Sequence, residues 1–190
     1  MKKIVIGTVA LLFLLAGCGQ KKESAEPSKD TTTEALQSTL PVLENANNNT
    51  VVTKTLVLPA DENGVQQTQT ITYKGKQFLT LTIQQKRQVS EDLKSFIAEH
   101  GLEEAKKALK EGEDKDESVQ EARKIPGFNI ETNLLSETEI ETKTSYDFQV
   151  LDVKKASESK YLKNVGLENL LKNEPEEYIE NRVASGATVQ

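Results

Sequence analysis

FNIETNLLSETEIETKTSYDFQV, at residues 128–150, is the segment that decides the fold of this chain. Large or β-branched residues occupy every second position on both sides of Ser136, and apart from Leu135 polar residues fill the positions between them. This period of two is typical of antiparallel strands that bury one face. Because a single strand of roughly 20 residues would be far longer than usual, we predict a hairpin or a bend near residues 136–138.

Three segments upstream have the composition of further strands, namely residues 51–58, 65–73 and 78–89. In the third segment, Leu79, Leu81 and Ile83 alternate with threonine, which predicts that these three side chains face the core. Turn-forming residues separate the segments, so we expect consecutive hairpins.

Helical periodicity follows the third strand and returns at the end of the chain. Ser90 has the position of a helix N-cap, and Gly101 should end or kink the helix. The charged residues 112–117 indicate a break before a short helix, which Pro126-Gly127 stops. The closing helical segments fall within residues 156–164, 167–172 and 175–184. These patterns predict an α+β fold, with an antiparallel sheet of about five strands and helices packed on one face.

The N-terminal residues have the layout of a secretory signal. Two lysines precede a short apolar run, and Leu15, Ala16 and Gly17 come directly before Cys18, the only cysteine of the chain. The apolar run is shorter than the roughly 20 residues of a membrane-spanning helix. We therefore predict a lipoprotein signal peptide at residues 1–17, recognised through Leu15, Ala16 and Gly17, and a Cys18 that carries a lipid such as palmitate.

The residues after Cys18 are mostly lysine, glutamate, serine, threonine, proline and asparagine. Such a composition buries too little apolar surface to order a chain. We therefore assign residues 18–50 to the lipidated cysteine and a flexible linker, and residues 51–190 to a single α+β domain. The full chain has a net charge of −6, and removal of the signal peptide would make it more acidic. This charge argues against a nucleic-acid partner.

Several short motifs and elements follow one another along the chain in an order that is typical of one protein family. They are Leu15-Ala16-Gly17-Cys18, Ile71-Thr72-Tyr73-Lys74-Gly75-Lys76, the helix opened by Ser90-Glu91-Asp92, the Pro126-Gly127 stop, the long β segment and a closing helix with Gly186. In this order the chain resembles the YehR-like family of small bacterial lipoproteins, a group without an assigned function. The resemblance covers residues 65–186 and implies the same fold and location, with no catalytic residue to carry over. The acidic linker and the strand region at 51–58 depart from the family pattern.

The candidates for chemistry each have a structural interpretation. His100, the only histidine, lies on the helical stripe expected to face the sheet, which favours a structural role over a catalytic one. One histidine without a free thiol cannot supply a zinc site. The acidic run at 113–117 lacks the glycine and glutamate of a calcium loop, so we interpret it as a solvated loop. Glu137, Glu139 and Glu141 share one face and would protect a sheet edge. We predict no catalytic, metal or cofactor-binding residues.

Together these observations predict a non-enzymatic lipoprotein held on the outer side of the cytoplasmic membrane. It would bind an unidentified protein, peptide or envelope component through the polar face of the sheet or its edge strands. The alternative is a solute-binding lipoprotein of a transporter, which the antiparallel pattern disfavours. An enzyme that uses His100 is the third possibility.

Overall fold

The computed structural model describes residues 50–190, which form a six-stranded antiparallel sheet and six helices. The strands are β1 (Val51–Val57), β2 (Gln66–Lys74), β3 (Gln77–Gln88), β4 (Phe128–Leu134), β5 (Glu139–Asp147) and β6 (Thr188–Val189). The helices are α1 (Glu91–His100), α2 (Leu102–Lys115), α3 (Glu117–Arg123), α4 (Val153–Glu158), α5 (Leu167–Leu170) and α6 (Pro175–Ala184). Across the sheet the strand order is β4-β5-β3-β2-β1-β6. The α+β class is therefore confirmed.

The quoted segment forms the hairpin of β4 and β5, as predicted. The Oγ atom of Ser136 accepts hydrogen bonds from the backbone nitrogens of Thr138, at 3.2 Å, and Glu139, at 3.0 Å. Phe128 lies opposite Tyr146 in the register, so the buried residues of the two strands share one face. The sheet gains a sixth strand because the C-terminal β6 pairs with the end of β1.

The helices cover one face of the sheet, which we call the inner face. Within residues 50–190, the apolar core side chains of the strands all lie on this face and form two clusters. The larger cluster joins β1–β5 to α3–α6, and the smaller cluster joins Leu134 and Ile140 to α1 and α2. Burial of the apolar side chains in these clusters is the main source of stability of the fold, because each Å² of apolar area removed from water contributes about 25 cal/mol.

A β-bulge changes which residue of β3 faces the core. Thr72 lies opposite Thr80, but Tyr73 lies opposite Phe78, so one extra residue is inserted in β3. The insertion reverses the alternation at that point. Phe78 is therefore buried and Leu79 only partly buried, which makes the prediction for Leu79 wrong. The inward positions of Leu81 and Ile83 are confirmed.

The first three helices lie close to where the sequence predicts them. The Oγ atom of Ser90 accepts a hydrogen bond from the backbone nitrogen of Leu93 at 3.4 Å, and Gly101 separates α1 from α2. The break predicted at 112–117 is present but is shorter than predicted, because α2 continues to Lys115 and only Asp116 separates it from α3. Asp116 then starts α3 by accepting hydrogen bonds from the backbone nitrogens of the next turn, which is the usual action of an N-cap.

The last helix is held against the sheet by a buried hydrogen bond. The hydroxyl of Tyr178 on α6 donates to Oε1 of Gln69 on β2 at 2.8 Å. The guanidinium carbon of Arg182 lies 5.0 Å from the centre of the Tyr178 ring, a cation–π geometry. These contacts fix α6, whose bounds match the prediction, over the inner face.

The four tyrosines of the chain make the fold sensitive to alkaline pH. Burial raises the pKa of Tyr73 and of Tyr161 to about 12, and it also raises the pKa of Tyr146 and Tyr178 above the ordinary value. An unfolded chain ionises its tyrosines near pH 10, while the folded protein keeps them neutral. The free energy of unfolding is therefore unaffected below pH 10 and falls as the pH rises from 10 towards 12.

We expect tyrosinate absorbance in an alkaline titration to rise together with the loss of the far-ultraviolet circular dichroism signal. A rise in absorbance near pH 10 from all the tyrosines of a still folded protein would contradict this prediction.

Candidate functional site

The central part of the outer face of the sheet consists of hydroxyl side chains. Among residues 50–190, the helices belong to the two apolar clusters of the inner face, and none of them packs on the outer face. We call its central part the threonine face, which consists of Thr53, Thr55, Thr68, Thr70, Thr72, Thr80, Thr82 and Ser145. These residues come from β1, β2, β3 and β5, and each is exposed or half-buried. The polar face predicted from the sequence is thus present and lies open on this side of the described domain.

The hydroxyls of the threonine face form ordered rows across the strands. Thr53, Thr72 and Thr80 make one row, and Thr55, Thr70, Thr82 and Ser145 make the next. Hydroxyl oxygens are 3.0 Å apart between Thr53 and Thr72, 3.2 Å between Thr55 and Thr70, and 3.4 Å between Thr82 and Ser145. Threonine favours strands and such pairs stabilise them. Because a hydroxyl can donate one hydrogen bond and accept two, each pair keeps capacity for a ligand.

Charged residues border the threonine face towards the far ends of β3 and β5. Lys86 lies opposite Glu141, and Gln84 donates a hydrogen bond to the carboxylate of Glu141. Glu139 and Glu141 belong to β5, which pairs on both sides. The prediction that these glutamates protect a sheet edge is therefore wrong, since β4 rather than β5 ends the sheet.

The β4 edge is closed by side chains from the junction of α2 and α3. Nη2 of Arg123 donates to the backbone oxygen of Ile130 at 3.2 Å, and the Thr132 hydroxyl donates to Oε1 of Glu113 at 2.7 Å. Arg123 and Glu113 also form an ion pair of 2.8 Å. The side chain of Glu113 is 16% exposed and that of Arg123 is 26% exposed. These contacts occupy polar groups that an added strand would need.

The opposite edge is partly covered. β6 pairs with Leu56 and Val57, and the backbone nitrogen of Gln190 donates to the oxygen of Thr55 at 2.9 Å. Among the described strands, none pairs with residues 51–54 on that side. This short segment of β1 therefore offers backbone groups for strand addition, whereas at the β4 edge the Ile130 oxygen is occupied by Arg123.

A polar row crosses the inner face between the two apolar clusters. It consists of Gln67, Gln85, Thr142 and Thr132, which are aligned across β2, β3, β5 and β4. The larger cluster begins at the neighbouring Ile83 and Ile130, and the smaller one begins at Ile140 and Leu134. Sequence reasoning missed this row, because glutamine at inward positions of β2 and β3 becomes visible only when the register is known.

His100 does not face the sheet. Its side chain is 43% exposed, its ring centre lies 4.5 Å from that of Phe96, and its Nε2 atom lies 3.7 Å from a carboxylate oxygen of Glu99. The inward orientation predicted from helical spacing is therefore wrong, since the last turn of α1 projects beyond the core. These contacts position the imidazole on the surface of α1.

The acidic run is not a solvated loop either. Glu113 and Asp114 lie in the last turn of α2 and pair with Arg123, and Asp116 is the N-cap of α3. Among residues 50–190, no three histidine, cysteine, aspartate or glutamate side chains lie close enough to hold a metal ion. The carboxylates of this run stabilise the helix junction.

The signal peptide at residues 1–17, its recognition residues Leu15, Ala16 and Gly17, and the lipidation site Cys18 all lie outside the described residues. Within the part of the chain that is described, no helix has the length and apolarity needed to cross a bilayer.

Together these features define an α+β domain whose antiparallel sheet is covered by helices on one side and presents hydroxyl side chains on the other. The chain belongs to the YehR-like family, whose family model matches residues 51–182. This is a family of unknown function.

Two solved structures are similar to this chain. The NMR structure of a protein from Streptococcus pneumoniae TIGR4 has 64% sequence identity and a TM-score of 0.71, and the match covers 87% of this chain and 100% of that protein. The NMR structure of the Escherichia coli YehR protein has 20% identity and a TM-score of 0.48, and the match covers 74% of this chain and 91% of that protein. A comparison with curated proteins finds no match.

Proposed function

We propose that this protein is a lipid-anchored, extracytoplasmic binding module without enzymatic activity, and that the threonine face is its contact surface. The observation that carries the proposal is the open face of the sheet, where seven of the eight hydroxyl side chains form ordered rows without a helix of the described domain over them. A protein, a peptide or a component of the envelope would fit this surface. The net charge of −6 speaks against a nucleic acid.

The chemistry of the threonine face supports a polar and reversible contact. Its hydroxyls both donate and accept hydrogen bonds, and its methyl groups supply limited apolar area. Large aromatic, methionine and arginine side chains, which dominate tight protein interfaces, are not part of it. The partner would therefore be held by many weak contacts, and a fixed position close to the membrane would compensate by raising the local concentration.

The anchor rests on the sequence before Cys18. Alkylation and acylation of Cys18 would attach the chain to the outer side of the cytoplasmic membrane, after cleavage that follows Leu15, Ala16 and Gly17. Each buried methylene contributes about 0.8 kcal/mol, so two or more acyl chains make such an anchor stable. The linker at residues 18–50 would then place the domain away from the lipid surface.

The alternative is a solute-binding lipoprotein of a transporter. Such proteins usually have two α/β lobes with parallel strands around a cleft, whereas the sheet of residues 50–190 is antiparallel throughout. Saturable binding of a small solute by the purified protein at the threonine face would favour this alternative.

The contact surface can be tested in cells with a photo-crosslinking amino acid at Thr70, in the middle of the threonine face. Lys154, exposed on α4, is the control position because α4 packs on the inner side of the sheet. We expect a discrete crosslinked product from position 70 and none from position 154. Equal products from both positions, or none from position 70, would contradict the proposed surface.

The anchor is tested in the same cells with Cys18→Ser. The unchanged chain should fractionate with the membrane and have a lipid-modified N-terminal cysteine by mass spectrometry. The variant should leave the membrane fraction and lose most of the crosslinked product. An unmodified Cys18 in the membrane-bound protein would refute the anchor while leaving the contact surface open to its own test.

A further inference from the structure

Four hydrogen-bond donors lie side by side on the inner face, on the opposite side of the sheet from the threonine face. They are Gln67 and Gln69 of β2 and Gln85 and Arg87 of β3, and we call them the donor patch. Gln67 lies opposite Gln85, Gln69 lies opposite Ile83, and Arg87 lies opposite Ile140 of β5. The patch therefore begins in the larger apolar cluster, crosses the polar row and reaches the smaller cluster.

The donors of this patch have no partner within the domain. Among residues 50–190, the side chains of Gln67, Gln85 and Arg87 make no hydrogen bond or ion pair. Gln69 is 0% exposed, and although its oxygen accepts the Tyr178 hydroxyl, its Nε2 atom has no acceptor in the described residues. Folded proteins pair nearly all of their buried polar groups. Nε2 of Gln69 is such a buried exception, whereas the side chains of Gln67, Gln85 and Arg87 beside it are half-buried and reach the surface.

The charge of the patch is also uncompensated. Arg87 is half-buried, and burial lowers the pKa of its guanidinium from the ordinary value, with no neighbouring carboxylate to oppose the shift. Glu113, whose carboxylate contacts Thr132 of the polar row, is already engaged by Arg123. The chain holds more acidic than basic residues, so enough carboxylates exist to pair with Arg87, yet none of those described does.

We propose that the donor patch binds an oxyanion, either a carboxylate or a phosphate group, of a ligand that enters over the half-buried side chains of Gln67 and Gln85. A guanidinium presents two parallel N–H donors that match the oxygens of either group. The amides of Gln67 and Gln85, which lie opposite each other on β2 and β3, supply further donors beside it. This site is independent of the threonine face.

The test uses the full chain, purified in detergent and labelled with nitrogen-15. Two probes are titrated separately, inorganic phosphate and acetate, while the backbone amide signals of residues 85–87 are followed by NMR. We expect saturable shifts with at least one probe. Saturation by phosphate alone assigns a phosphate ligand, saturation by acetate alone assigns a carboxylate ligand, and saturation by both supports the oxyanion site in general. Shifts that stay linear with both probes would overturn the proposal.

Two matched variants make the assignment specific. Arg87→Gln should weaken probe binding by roughly tenfold or more, because it removes a charge-assisted pair of hydrogen bonds. Lys86→Gln removes the same charge from the adjacent residue, which faces the other side of the sheet, and should change binding by less than about twofold. Equal losses in both variants would show a general charge effect and refute the site.

Folding of the variant is checked in the same experiment. Because Arg87 is half-buried without a partner, Arg87→Gln should keep or raise the melting temperature. Gln85→Ala is the second variant and should weaken binding without removing a charge. Unchanged binding in Gln85→Ala together with unchanged binding in Arg87→Gln would overturn the proposal.

Discussion

Gly127→Ala should lower the free energy of unfolding by about 2–5 kcal/mol. Gly127 has a φ of +81°, a conformation that costs other residues about 1–2 kcal/mol. An added Cβ would lie 2.6 Å from the backbone oxygen of Asp147 and 2.9 Å from the backbone nitrogen of Leu151. These atoms cannot move freely, because the Asp147 oxygen accepts the Leu151 N–H at 2.9 Å and the Asp147 N–H donates to Gly127 at 2.7 Å.

The control is Gly64→Ala, measured in the same urea unfolding experiment. Gly64 has a similar φ of +75°, but an added Cβ would meet nothing within 4 Å. Gly64→Ala should therefore lower the free energy of unfolding only by the cost of the backbone conformation, about 1–2 kcal/mol. If the two variants lose the same stability, the close approach of residues 127 and 147 does not have the importance we assign to it.

Glu113→Ala should lower the free energy of unfolding by about 2–3 kcal/mol. Glu113 accepts hydrogen bonds from Arg123 and Thr132, which tie α2 to α3 and β4. Without it, a largely buried guanidinium keeps only Asp114 and the Ile130 oxygen as partners. The same change should loosen the closure of the β4 edge, so we also expect concentration-dependent self-association by light scattering.

Glu111→Ala provides the matched control one half-turn earlier on α2. Glu111 pairs with Lys115 at 3.4 Å, and its side chain is 55% exposed. A solvent-exposed pair of this kind contributes at most about 1 kcal/mol, and added salt screens it. The loss at Glu113 should persist in high salt, whereas the loss at Glu111 should disappear. Equal salt dependence would place Glu113 among ordinary surface charges.

The type and order of most helices and strands could be predicted from the sequence, because they depend on the local periodicity of apolar and polar residues. The hairpin of β4 and β5 and the helix from Pro175 are examples, since alternation, turn residues and a proline at the first helical position act over a few residues. The bulge that buries Phe78 depends instead on how β3 pairs with β2. Residues 112–115 continue α2, where Glu113 and Asp114 pair with Arg123, and local periodicity does not reveal these contacts.

Of the two candidate surfaces, one could be predicted from the sequence and the other could not. The alternating threonines of β1, β2 and β3 are visible in the sequence as a polar face, so the sequence was sufficient to propose that face as a contact surface. The donor patch was missed because glutamine and arginine at alternate positions are equally compatible with an outward orientation. Their place on the inner face follows from the burial of Leu81 and Ile83 and the continuous register of β3 with β5.

The polar row divides the hydrophobic core into two parts of unequal size. The cluster under α1 and α2 has five buried residues, whereas the cluster under α3–α6 has 20. Cooperative unfolding depends on continuous apolar contact, so a domain interrupted in this way has a natural line along which a small part can detach. We therefore expect α1 and the start of α2 to open before the rest of the domain unfolds, whereas the end of α2 stays tied to α3 and β4 through Glu113. Such an opening would admit water to the polar row.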